Sequence, residues 1–153
     1  MTTLTVVDTT VWIRESCDMQ NATTPEDYIG MARAYEYAVW RMSADPNRPR
    51  GHIYHSDLAA LICNVCNANW VEYRDFPAVF ANGRIAKQTG REIHRALQDL
   101  LAAQDRVTPE EFYFYFEEIH PWDDGNGRVG TILFNYLKNK IMTPVHPPEN
   151  PNW

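Results

Sequence analysis

A mainly α-helical domain carrying one β-hairpin is the fold this sequence predicts. Two features carry that expectation. Apolar residues recur at helical spacing behind recognisable helix starts, and a single Asn82-Gly83 pair stands among Val71, Tyr73, Phe76, Val79, Phe80 and Ile85. At 153 residues, with an ordinary apolar share, the chain is one domain able to bury a core.

Taken in order, the stretch Leu4 to Cys17 fits strand or helix equally, since Val6, Val7, Val11, Trp12 and Ile13 obey neither period cleanly. Thr24-Pro25-Glu26-Asp27 is the first clear helix start: Thr24 caps, Pro25 suits the first turn, and two acids face the helix dipole. Tyr28, Met31, Tyr35, Ala38, Val39 and Met42 follow at helical spacing, and the turn-rich run Asp45 to Gly51 ends the element. A second helix is expected near Ser56, with Leu58, Leu61, Ile62 and Val65 on one face. Between about 71 and 87 the character changes, and Asn-Gly flanked by apolar residues predicts a hairpin. Thr89-Gly90-Arg91-Glu92 and Thr108-Pro109-Glu110-Glu111 both read as capping boxes opening helices. The second of these is expected to stop near His120, because Pro121 disfavours helical backbone in the residue before it. A last helix starts around Asn126 or Gly127 and carries Val129, Ile132, Leu133, Tyr136, Leu137 and Ile141. From Thr143 onward four prolines predict an extended or disordered tail, so the domain is placed at 1–143 and the tail at 144–153.

The net charge of −6 speaks against a general nucleic-acid binder, which shows a basic face, but leaves room for a single nucleotide held by a few local donors. Met1 to Val11 lack a basic n-region and no apolar run reaches membrane-span length, so a cytoplasmic location with no membrane contact is expected. Cys17, Cys63 and Cys66 are an odd count that fits reduced thiols. Cys63-Asn64-Val65-Cys66, with His52 and His55 upstream, is a weak zinc pattern inside a helical one, and buried small thiols are the favoured reading.

The chemistry concentrates in nine consecutive residues, His120-Pro121-Trp122-Asp123-Asp124-Gly125-Asn126-Gly127-Arg128. Gly125-Asn126-Gly127 lies at a helix start, where backbone N–H groups lack partners and the dipole favours an anion. Arg128 adds a fixed cation with a planar donor fork, and Asp124 a carboxylate of the kind that recruits Mg²⁺ beside phosphates. His120, at the end of the preceding helix, can exchange a proton near neutral pH. Base, metal ligand, anion cradle and cation together outline a phosphoryl or nucleotidyl transfer site. Each residue alone has a plainer reading, such as Asn126 as a helix cap; their coincidence is what points to chemistry.

This segment resembles the signature of the Fic (Fic/Doc) family, HPFx[DE]GN[GK]R, with Trp122 where phenylalanine is usual. The resemblance extends to the order of hairpin, two helices, loop and helix over Trp70 to Leu137. It implies a helical bundle with a hairpin flap at about 71–87 and a motif loop at 120–128. It further implies a Mg²⁺-dependent adenylyltransferase that moves AMP from ATP to a Ser, Thr or Tyr hydroxyl of a target protein. By the resemblance, His120 is the base and Asp124 the Mg²⁺ ligand. Gly125, Asn126 and Gly127 form the anion hole, Arg128 contacts phosphate and Trp122 anchors the loop. The flap, with Tyr73, Arg74, Phe76 and Val79, holds the target backbone by strand addition.

Two departures qualify this. Many family adenylyltransferases carry a second arginine three residues after the first, where this chain has Thr131. That leaves donor orientation open, with Doc-like phosphate transfer, or a silent binding module, as alternatives. The inhibitory pattern [ST]xxxE[GN] is also unmatched: Thr23 has Asp27 four residues on, but Tyr28 follows. The expectation is that nothing internal fills the space near Arg128 and Thr131, and that the protein is either unrestrained or restrained by a separate antitoxin-like partner.

Overall fold

The computed structural model describes residues 6–151. The expectations resting on Leu4 and Met1 therefore lie in part outside the described residues, as does the end of the tail. Six α-helices and one short hairpin follow in order: α1 Val6–Asp18, α2 Pro25–Tyr37, α3 His55–Val65, β1 Ala78–Val79, β2 Ile85–Ala86, α4 Arg91–Ala102, α5 Pro109–Ile119 and α6 Asn126–Leu137. From Val6 onward the ambiguous N-terminal stretch is helix. Its apolar positions include Trp12, buried against Tyr35 with ring centroids 5.7 Å apart, and tertiary packing decides what the local pattern left open.

Helix α2 begins as the sequence suggests. Thr24 Oγ1 accepts from the Asp27 N–H, and the Asp27 carboxylate accepts from the Thr24 N–H. It continues through one wider, π-type turn, Ala38–Ser43. Its crossing with α3 is close because Gly30 has no side chain there: a β-carbon at that position would lie 2.5 Å from the Val65 carbonyl. Helix α3 starts one residue before Ser56. Helix α5 carries the predicted capping box at Thr108 and Glu111. Helix α4 does not: Gly90, at φ 48°, precedes it without a side-chain cap, and the Gly90 N–H donates instead to the Arg74 carbonyl. The pull of the segment before the hairpin replaces the local Thr89–Glu92 arrangement.

Helix α6 is the spine. From Arg128 to Tyr136 every residue is buried, as expected of a helix enclosed on all sides. Helices α1, α2, α3 and α5 pack around it. Beyond residue 143 the described chain has no regular secondary structure, and the Asn135 side chain pins it to α6 by exchanging two hydrogen bonds with the Val145 backbone. The hairpin is minimal. Two antiparallel residue pairs, Ala78 with Ala86 and Val79 with Ile85, carry a turn containing Asn82-Gly83. Trp70 to Pro77 is irregular rather than strand.

Candidate active site

Pro121 ends α5, and His120 takes the left-handed conformation, φ 49° and ψ 66°. The chain then crosses the bundle end and enters α6 at Gly125, φ 89°. Only glycine takes that backbone angle without strain, and a β-carbon there would also sit 2.7 Å from Ile62 Cδ1. Trp122 is buried against Phe116, with ring centroids 5.9 Å apart, and roots the loop in the core. Asn126 is no conventional cap. Its Oδ1 accepts from the Trp122 N–H at 2.9 Å, and its Nδ2 donates to the Trp122 carbonyl at 2.7 Å. This two-way clasp closes the loop, so the Asn126 side chain shapes the cradle while its backbone belongs to it.

The first intrahelical donor of α6 is the Val129 N–H, which reaches the Gly125 carbonyl. The N–H groups of Asn126, Gly127 and Arg128 precede it, at the positive end of the helix dipole. Arg128 is buried and sits between two carboxylates, Asp124 at 3.0 Å and Asp27 of α2 at 3.6 Å. Its Nε is buried without a hydrogen-bond partner. Asp124 itself is exposed.

His120, Asn126 and Gly127 line one cavity of about 370 Å³, together with Phe80 and Asn82 of the flap turn. The His120 ring meets Phe80 edge-on at 5.0 Å. Burial, and secondarily the nearby Arg74 cation, hold the His120 imidazole below its usual pKa, so it is a neutral base at physiological pH. A second cavity of about 380 Å³ lies on the other side of Gly127, bounded by Ser16, Thr131, Tyr113 and the segment 146–150. Glu117 lines both. Burial raises its pKa, and it accepts a hydrogen bond from Tyr113 at 2.5 Å.

Three expectations need correction. The space beside the cradle is occupied: the Gln20 side-chain amide, from the turn after α1, lies 2.3 Å from where a β-carbon on Gly127 would stand and lines both cavities. The signal was present in Ser16-Cys17-Asp18-Met19-Gln20-Asn21, which fits the inhibitory pattern with glutamine in the glutamate position. Of the four flap residues, Phe76 and Val79 are exposed, but Tyr73 is half-buried, with its hydroxyl 2.7 Å from His55 Nε2. Arg74 is fully buried, so neither Tyr73 nor Arg74 faces a target strand. Cys63 and Cys66, expected as buried small thiols, are only half-buried, whereas Cys17 is fully buried.

A family model, the Fic/DOC family, matches residues 91–137. Among the solved structures that share its fold, two cover most of the chain. Fic-1 (residues 134–508) from C. elegans is 16% identical with a TM-score of 0.60, covering 88% of this chain and 47% of that one. A Fic-domain-containing signaling protein from Bacteroides thetaiotaomicron VPI-5482 is 20% identical with a TM-score of 0.51, covering 79% and 50%. This chain therefore spans about half the length of either structure. No curated protein matches it in sequence. Among the described residues, no helix is long and apolar enough to cross a membrane.

Proposed function

With residues 91–137 belonging to the Fic/DOC family and the chain adopting the fold of Fic-domain proteins, we propose that it is a protein adenylyltransferase, moving AMP from ATP to a hydroxyl of another protein. The observation that carries this reading is the cavity in which the neutral imidazole of His120 faces the N–H groups at the start of α6.

In this reading His120 takes the proton of the incoming hydroxyl, which attacks the donor's α-phosphorus, and pyrophosphate leaves. The N–H groups of Asn126, Gly127 and Arg128 stabilise the charge that builds on the phosphoryl oxygens. Arg128 exchanges Asp124 for phosphate, a charge-assisted contact worth about 1.5–3 kcal/mol. The residues fit Mg²⁺ held by one carboxylate and the donor phosphates. Asp124 is exposed beside the cradle with one oxygen on Arg128, and no all-protein metal cage exists among the described residues. When bound, the ion supplies positive charge against the phosphates. Exposed Phe76, Val79 and Ile85 offer the flap surface to the target backbone. Gln20 is the restraint on this site, and it acts from within the chain; a separate inhibitory partner is not needed for it.

Phosphate transfer is the second reading, favoured by Thr131. The described residues lining the cavity beside it include no Lys or Arg to hold a terminal phosphate. Mass spectrometry of a lysate incubated with protein, Mg²⁺ and ATP tests both readings. The proposal expects an AMP-sized addition on Ser, Thr or Tyr, absent with His120→Ala; a phosphate-sized addition supports the second reading, and no addition sinks both.

A further inference from the structure

Arg74 is one of the largest fully buried side chains of the domain, yet no carboxylate pairs with it within salt-bridge distance among the described residues. It spends its donors on carbonyls. Nε donates to His120 and Nη2 to Ile119, at 2.6 and 2.9 Å, while Nη1 donates to both Phe76 and Gln88. Its backbone N–H donates to the Pro121 carbonyl, and its own carbonyl accepts from Gly90.

The pattern has a logic. Ile119, His120 and Pro121 are three consecutive carbonyls at the end of α5, where no intrahelical donor remains, and Arg74 satisfies all three. Phe76 and Gln88 flank the hairpin on its two legs, before β1 and after β2. One guanidinium thus joins both roots of the flap to the backbone of His120. A buried cation with no carboxylate in contact is expensive, and the carbonyl dipoles, reinforced by the C-terminal end of the α5 dipole and the more distant Asp123 charge, offset that cost. An arginine chosen only for packing would be replaceable by an apolar residue at less expense.

We propose that Arg74 is a positioning residue that holds His120 in its left-handed turn and fixes the distance between that base and the flap. It rests on the transferase reading for its consequence, but its geometry can be tested without turnover. The guanidinium ties His120 and the neighbouring Ile119 carbonyl to both legs of the flap, and a misplacement of about 1 Å at a reacting group costs about 10²-fold in rate. The charged and titratable groups around His120 are Arg74, Glu117 from α5 and Asp123 from the loop. The α1–α2 turn, the flap and α6 present Gln20, Phe80, Asn82 and Asn126, none of which titrates. Removing Arg74 therefore removes the one neighbouring cation and moves the His120 pKa upward.

The experiment compares the full chain with Arg74→Ala and Arg74→Lys, following the His120 ring by NMR titration and AMP transfer across pH. Arg74→Ala is expected to raise the His120 pKa and to lower transfer about 10²-fold at saturating ATP, with ATP affinity within about twofold. Arg74→Lys keeps the charge and so restores the His120 titration, but one ammonium cannot reproduce the fork, and the rate stays low. Unchanged titration and transfer in folded Arg74→Ala would overturn the proposal. A wild type that shows no transfer, with the His120 titration moving as stated, leaves the clamp standing and removes the transferase reading. If neither variant folds, the wild type decides: the Arg74 Nε proton must exchange slowly with solvent, and fast exchange refutes the clamp.

Discussion

The side-chain amide of Gln20 rests on Gly127, at the point where the dipole of α6 and its first N–H groups converge. A neutral amide there makes weaker contacts than a carboxylate paired with an arginine would, and Thr131, which lines the same cavity, carries no charge. The restraint proposed for Gln20 is therefore light.

Gln20→Ala should open the cradle. Moving the amide aside costs at most about one hydrogen bond, about 0.5–1.5 kcal/mol, so its removal should raise ATP affinity by up to roughly tenfold. Calorimetry with Mg²⁺ and ATP measures it; affinity at or below the wild-type value would mean that Gln20 is no obstacle.

Gly125→Ala should destabilise the fold. A left-handed angle costs a β-carbon about 1–2 kcal/mol, and the new methyl would stand 2.7 Å from Ile62 Cδ1, for a combined loss of about 2–4 kcal/mol. At this size each kcal/mol lowers the thermal midpoint by about 2–4 °C. A midpoint unchanged within error contradicts the loop geometry.

Asp124→Ala separates chemistry from stability. The carboxylate is largely exposed, so its pairing with Arg128 adds little to folding, and the midpoint should hold within about 2 °C. The Mg²⁺ concentration giving half-maximal transfer should rise about tenfold or more. Equal Mg²⁺ dependence in the variant would remove Asp124 from the metal's surroundings.

The pH dependence follows from the neutral base. Because burial and Arg74 lower the His120 pKa, the unprotonated form persists below the usual histidine range, and activity should survive mild acidity before falling. A rate–pH profile with its acid limb at or above the ordinary histidine value would contradict that environment.

Much of this arrangement was legible in the sequence because local rules set it. Pro121 stops α5, Thr24 and Thr108 cap their helices, and the nine-residue loop places its candidate site residues in consecutive positions. What sequence pattern missed depends on distant contacts. Arg74 lies among flap residues, but apart from Phe76 its side-chain partners stand 14 to 46 positions away, so nothing local marks it as interior. Gly90 replaced a plausible capping box for the same reason. Gln20 was hidden by a strict pattern, since amide and carboxylate share a shape but not a letter.

The most direct test of the central claim uses ATP labelled at either the α- or the γ-phosphorus, incubated with the protein, Mg²⁺ and a lysate. Transfer of AMP through His120 predicts protein-bound label from the α position alone, lost in His120→Ala and increased in Gln20→Ala. Label entering from the γ position alone, or equal incorporation by His120→Ala, would contradict it.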